Sequence, residues 1–71
     1  MITITEIDNW FKYHAPQGNQ TERYELIRAK ARELAIMIVD CTPPSADQTA
    51  AIRKLRECVM TANAAIACGE N

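Results

Sequence analysis

Aromatic side chains are scarce in this chain. One Trp, two Tyr and one Phe make up 6% of its 71 residues. A core filled by large rings is therefore excluded. The 48% hydrophobic content comes instead from Ala, Ile, Leu, Val and Met, a mixture that suits closely packed helices. Glycine is scarcer still, at two residues, which leaves no Gly-rich loop to cradle a phosphate. There is one His, His14, so no H-E-x-x-H metal helix is written into the chain; no serine stands beside it, and the one Ser, Ser45, reads as a helix cap. The three cysteines, Cys41, Cys58 and Cys68, are irregularly spaced, with no C-x-x-C pair to begin a zinc site. Their odd count leaves at least one unpaired, and they read as reduced, small apolar residues of a cytosolic protein. Neither a metal nor any other cofactor is expected. The longest apolar run, Leu34 to Val39, is far shorter than the roughly 20 residues a membrane helix needs. The opening MITITEIDNW lacks the basic start and apolar stretch of a secretory leader. Net charge is −1 with pI about 5.7, so the chain has no general attraction for a DNA or RNA duplex, whose binding is dominated by phosphate contacts.

Two Pro- and Gly-bearing breaks divide the chain, at Ala15-Pro16-Gln17-Gly18-Asn19 and at Thr42-Pro43-Pro44-Ser45. They predict one all-α domain over 1–71, with a short helix over about 3–13 and an antiparallel hairpin of two long helices over about 20–40 and 45–68. In the first segment, Thr3 and Glu6 fit a capping box, and Ile4, Ile7 and Phe11 share a helical face with Trp10 alongside. The alternation Ile2-Thr3-Ile4-Thr5 supports a competing strand at the terminus. In the second segment, Asn19 with Glu22 marks a start, and Tyr24, Ile27, Ala31, Leu34, Ala35 and Ile38 recur at helical spacing. In the third, Ser45 with Gln48 is another capping-box pair. Ile52, Leu55, Val59, Ala62 and Ile66 form the stripe, and Gly69 is a terminator.

Both long segments carry more apolar surface than one neighbour covers. Leu34-Ala35-Ile36-Met37-Ile38-Val39 is apolar on every face, and Met60, Ala64 and Ala67 lie away from the main stripe of the third segment. A chain this short is marginal alone, so the excess points to a homo-oligomer.

Candidate chemistry is sparse. The carboxylates are scattered, and no spacing pairs two of them for acid–base work. Two features stand out. Phe11-Lys12-Tyr13-His14-Ala15-Pro16 sets two aromatics, an imidazole and a lysine at a helix end. It reads either as packing, with Phe11 in the core, Tyr13 half-buried and His14 solvated, or as a stacking platform for a nucleobase, worth about 1–3 kcal/mol per base. Arg23, Arg28, Lys30 and Arg32 form a basic run in which Arg28 and Arg32 share a face. It reads either as a solvated, ion-paired face or as a phosphate clamp suited to the planar guanidinium. Together, aromatic faces and fixed cations fit a compact ligand carrying bases and phosphates.

The pattern Phe11-x-Tyr13-His14-Ala15-Pro16, then Gln20-x-x-Arg23-Tyr24-x-x-Ile27-Arg28-x-x-Ala31-x-x-Leu34-Ala35, then Pro44-Ser45 and Val59-Met60-x-Ala62-Asn63-Ala64-x-Ile66-Ala67, resembles the phage anti-CBASS proteins that act as cyclic-oligonucleotide sponges. The resemblance spans nearly the whole chain. It implies a compact helical hexamer in the infected cell's cytoplasm that binds cyclic dinucleotides and cyclic trinucleotides without cleaving them, so that the host's antiviral effector stays off. It implies that Tyr13 stacks on a base and Arg28 contacts phosphate, with Lys30 and His14 as supporting candidates. Arg53 and Arg56 are candidates for a second, trinucleotide site where protomers meet; the bland reading of both is an ion-pairing surface. The alternative is a helical protein–protein interaction module, a phage inhibitor or adaptor, using the same apolar faces for a foreign partner. A hydrolase of the messenger is a third reading.

Overall fold

The Thr3 hydroxyl accepts from the Glu6 amide at 3.1 Å, and the Glu6 carboxylate accepts from the Thr3 amide at 3.4 Å. This reciprocal cap satisfies two amides that a helix start otherwise leaves unpaired. It launches α1 (Ile4–Trp10) in the computed structural model, which describes residues 1–70. Two longer helices follow, α2 (Gln20–Cys41) and α3 (Ala46–Gly69). The structure is all-helical among the described residues; helix begins at Ile4, and no strand forms over Ile2–Thr5.

The first helix is shorter than the periodicity predicts. Phe11 is its C-cap, at φ −109° and ψ 21°, and residues 12–17 leave the helix. Pro16 explains the run-out in part. It disfavours helical geometry at Ala15 and has no amide to give to the ladder. Phe11 is consequently not a core residue of the protomer; it is 83% exposed.

The second helix starts without the expected side-chain cap. Asn19 caps no amide; its Oδ1 instead accepts from the Arg23 guanidinium at 3.0 Å. The turn before it depends on Gly18, whose φ of +55° lies in the left-handed region where a Cβ is penalised. Gln20 steadies this turn by accepting from the Gln17 amide at 2.9 Å. Gly69 is the last residue of α3, with Glu70 as the C-cap at φ −105°.

The hairpin is joined at both ends. At the Pro43-Pro44 turn, Ser45 accepts from the Gln48 amide at 3.1 Å, the first half of the predicted box. The Gln48 side chain does not complete it. Its amide reaches across to the carbonyls of Val39 and Thr42 at 3.3 and 3.1 Å, satisfying acceptors that the end of α2 leaves orphaned. At the other end, Glu70 accepts a forked pair of hydrogen bonds from Arg23, both at 2.7 Å, and one from Gln20 at 3.0 Å.

Between these clamps α2 packs antiparallel on α3, while α1 packs on α3 and not on α2. The seam uses the predicted stripes without Leu34, which stays exposed: Tyr24, Ile27, Ala31, Ala35 and Ile38 face Ile52, Leu55, Val59, Ala62 and Ile66, all at least half-buried. Yet Ile66 is the sole buried apolar residue among those described. The cause is the shape of the chain, 44 × 31 × 14 Å. A helix with its side chains is about 10–12 Å across, so the fold is one layer thick. Its radius of gyration, 15.2 Å, exceeds the roughly 11 Å expected of a compact chain of this length. Two layers are the minimum for a closed core. Leu26, Leu34, Ile36, Met37, Val39 and Met60 accordingly stay exposed.

Candidate functional site

The one-layer hairpin has two faces, each with a shallow apolar groove along the seam. Both grooves are lined by Ala31, Leu55 and Val59 and run on either side of that line. The first is about 370 Å³ and is edged by Arg28, Arg32 and Arg56, with Ile52 completing its floor. The second is about 320 Å³ and is lined by Leu26, Lys30, Leu34 and Cys58 among others. A smaller depression of about 280 Å³ continues the first face through Ile36, Val39 and Asp40.

This geometry sorts the candidate cations. Arg28 and Arg32 sit one turn apart on α2, and Arg56 faces them from α3 across the first groove. No acidic residue lines that groove, and none of its three arginines makes an ion pair among the described residues. Uncompensated guanidinium groups over an apolar floor suit a ligand that is anionic at one edge and flat and apolar at another. Lys30 turns to the other face and lies 3.5 Å from Glu33, an exposed pair whose attraction is largely screened. Arg53 is exposed on α3 and lines none of the three grooves. Arg56 thus shares a groove with Arg28, whereas Arg53 does not.

Tyr13 and His14 lie elsewhere, in the loop between α1 and α2. Tyr13 is 83% exposed and makes no hydrogen bond among the described residues. Its ring is therefore open for stacking, but it does not line the Arg28 groove. His14 is half-buried, and its Nε2 is 2.7 Å from the carbonyl oxygen of Asn9 in α1. Asn9 in turn donates from Nδ2 to the Cys68 carbonyl at the end of α3, at 3.0 Å. Beside this cluster stands the Arg23–Glu70 pair. Hydrogen bonds from Arg23, then from Gln20, lower the Glu70 carboxyl to about 2, and the same pairing raises Arg23. Arg23 is thereby committed to structure and withdrawn from the basic run as a ligand contact.

Of the basic run, Arg28 and Arg32, which the spacing puts on one face, line the same groove. The roles of Asn9 and Glu70 carried no local signal, because their partners are 59 and 47 to 50 residues away. Among the described residues, no group of three His, Cys, Asp or Glu side chains is placed to hold a metal ion, and no helix is long and apolar enough to cross a membrane.

The family described as Acb2/Tad1, hairpin domain, matches residues 3–67. The chain belongs to the Acb2/Tad1 hairpin-domain family. Its members are phage anti-CBASS proteins that act as cyclic-oligonucleotide sponges; they are binding proteins and are not known as enzymes. The match covers all of α1 and α2, both loops and α3 as far as Ala67. No curated protein and no solved structure matches the chain.

Proposed function

We propose that this Acb2/Tad1 hairpin protein is a phage sponge that binds cyclic dinucleotides and cyclic trinucleotides intact in the cytoplasm of the infected bacterium. Sequestration would starve a CBASS-type effector of its messenger. The observation that carries the reading is the family match over residues 3–67. Two local features support it: the Tyr13 ring is left open to solvent, and Arg28, Arg32 and Arg56 face one groove without acidic partners. In this reading Tyr13 stacks on a base and Arg28 engages phosphate, with Lys30 in support and with Arg53 and Arg56 as the candidates for a second, trinucleotide site.

Tyr13 does not line the Arg28 groove of its own chain, which fits a ligand held by Tyr13 of one protomer and Arg28 of another. The resemblance implies a homohexamer. A one-layer protomer with apolar grooves on both faces is what such an assembly would require of its subunits.

Titration calorimetry against a panel of cyclic dinucleotides and trinucleotides tests the function directly. Micromolar or tighter binding, with ligand recovered intact after heat denaturation, is expected. Tyr13→Ala should weaken binding by about 1–3 kcal/mol, and Arg28→Ala by about 1.5–3 kcal/mol, the range for a hydrogen bond to a charged group. Unchanged affinity in both variants would remove these residues from the site. Absence of binding across the panel would end the sponge reading and favour a protein-binding module, whose partner would take the same apolar faces.

A further inference from the structure

His14 is half-buried and does not line the Arg28 groove, although it adjoins the exposed Tyr13. Its Nε2 lies 2.7 Å from the Asn9 carbonyl oxygen. That oxygen belongs to the last turn of α1: the Ile7 carbonyl there accepts from the Phe11 amide, but the chain leaves the helix before an amide can serve Asn9, whose carbonyl otherwise receives only the Cys68 thiol, at 3.9 Å. A carbonyl only accepts, so Nε2 carries the proton. Asn9 extends the link by donating to the Cys68 carbonyl at 3.0 Å, an acceptor in the last turn of α3. Beyond Ala15-Pro16, the Gln17 amide donates to Gln20 at 2.9 Å. The Tyr13 loop is thus tied on one side through His14 to α1 and α3, and on the other through Gln17 to α2.

We infer that His14 is a positioning residue: its Nε2–H···O bond to Asn9 holds the adjacent Tyr13 in a fixed presentation without touching the ligand itself. The consequence for binding rests on the sponge reading; the anchoring does not. Tyr13 has no hydrogen-bond partner of its own among the described residues, so its direction is set by its backbone. That backbone lacks helical or sheet bonds over residues 13–17. Losing one anchor would let a solvent-exposed ring sample many orientations, and a ligand would then have to order it on binding.

The test uses the length of the side chain. Gln carries an amide donor about as far from the backbone as Nε2 of His, whereas Asn is one carbon shorter. The full chain is prepared as wild type, His14→Gln, His14→Asn and His14→Ala, with circular dichroism confirming equal helix content. The backbone order parameter of Tyr13 is measured by nitrogen-15 relaxation without ligand, and the affinity for a cyclic dinucleotide by calorimetry. We expect an order parameter near the rigid value of about 0.85 in wild type and His14→Gln, and below about 0.6 in His14→Asn and His14→Ala. Affinity should fall about three- to tenfold in the latter two, the range one hydrogen bond gives, and recover in His14→Gln.

An unchanged Tyr13 order parameter in His14→Ala would overturn the anchoring. With the order parameter restored in His14→Gln, a loss of affinity equal to that in His14→Ala would overturn the positioning role, since it would place the imidazole itself on the ligand. A wild type that binds no cyclic dinucleotide would dispose of the sponge reading alone, and the order parameters would still decide the anchoring.

Discussion

Glu70 shows how much one residue near the end of the chain can contribute. Its carboxylate accepts from both terminal nitrogens of Arg23 and from Gln20, and it lies against the start of α2, where a helix favours negative charge. These contacts lower its pKa from 4.5 to about 2. A carboxyl depressed in the folded state stabilises the fold above its unfolded value and loses that contribution as pH falls through its folded value. Urea midpoints measured from pH 4.5 down to about 2 should therefore decline more steeply in wild type than in Glu70→Gln. The pair is solvent-exposed, so added salt should shrink the difference. Gly18 is a second such residue. Its φ is +55°, and no neighbouring atom lies within 4 Å of where a Cβ would stand. Gly18→Ala thus meets a backbone penalty alone, and should lower stability by about 1–2 kcal/mol in denaturant titrations, with Gly18→Asn less affected.

Among the elements, the loops between helices are held by side chains that local rules assign to other tasks. Ser45 caps α3 as its spacing from Gln48 predicts, and Ser45→Ala should cost about 1 kcal/mol by thermal or chemical unfolding. Gln48, nominally the other half of that box, closes the opposite helix by donating to Val39 and Thr42. Asn19, nominally a cap, receives Arg23. In each case the helix start was legible and the partner was not. Capping residues are recognised by spacing along one helix, but an antiparallel neighbour offers competing acceptors only once the hairpin has closed. The shortening of α1 has the same character. Ile4, Ile7 and Phe11 keep helical spacing, yet the departure toward Ala15-Pro16 ends the helix at Trp10, and His14 meets the Asn9 carbonyl there.

For the whole molecule, thickness governs. A protomer 14 Å thick exposes both sides of its seam, and Leu26 and Met37, each 59% exposed, contribute little to the stability of an isolated protomer. Leu26→Asp and Met37→Asp should therefore leave the helices intact by circular dichroism while reducing the mass of the proposed oligomer in light scattering coupled to size exclusion. A wild type that is monomeric at every concentration would defeat the association itself. Loss of mass without loss of helix would show that these side chains serve contacts between chains rather than a core within one.

Three helices, two breaks, the seam stripes and family membership were all determined by the sequence. Each is written in local spacing or in an ordered string of motifs, and neither needs tertiary information. What the tertiary structure decided was which residues meet. The 3.6-residue period assigns a residue to a helix face, but not to the face of its neighbour. Only the antiparallel register places Arg56 beside Arg28 and Arg32 while sending Lys30 to the opposite side. Only chain closure brings Glu70 to Arg23 and Asn9 to Cys68. The apolar excess of Leu34 to Val39 is written in the sequence. Its physical cause, a single layer of helices with no second layer to cover it, appeared only in three dimensions.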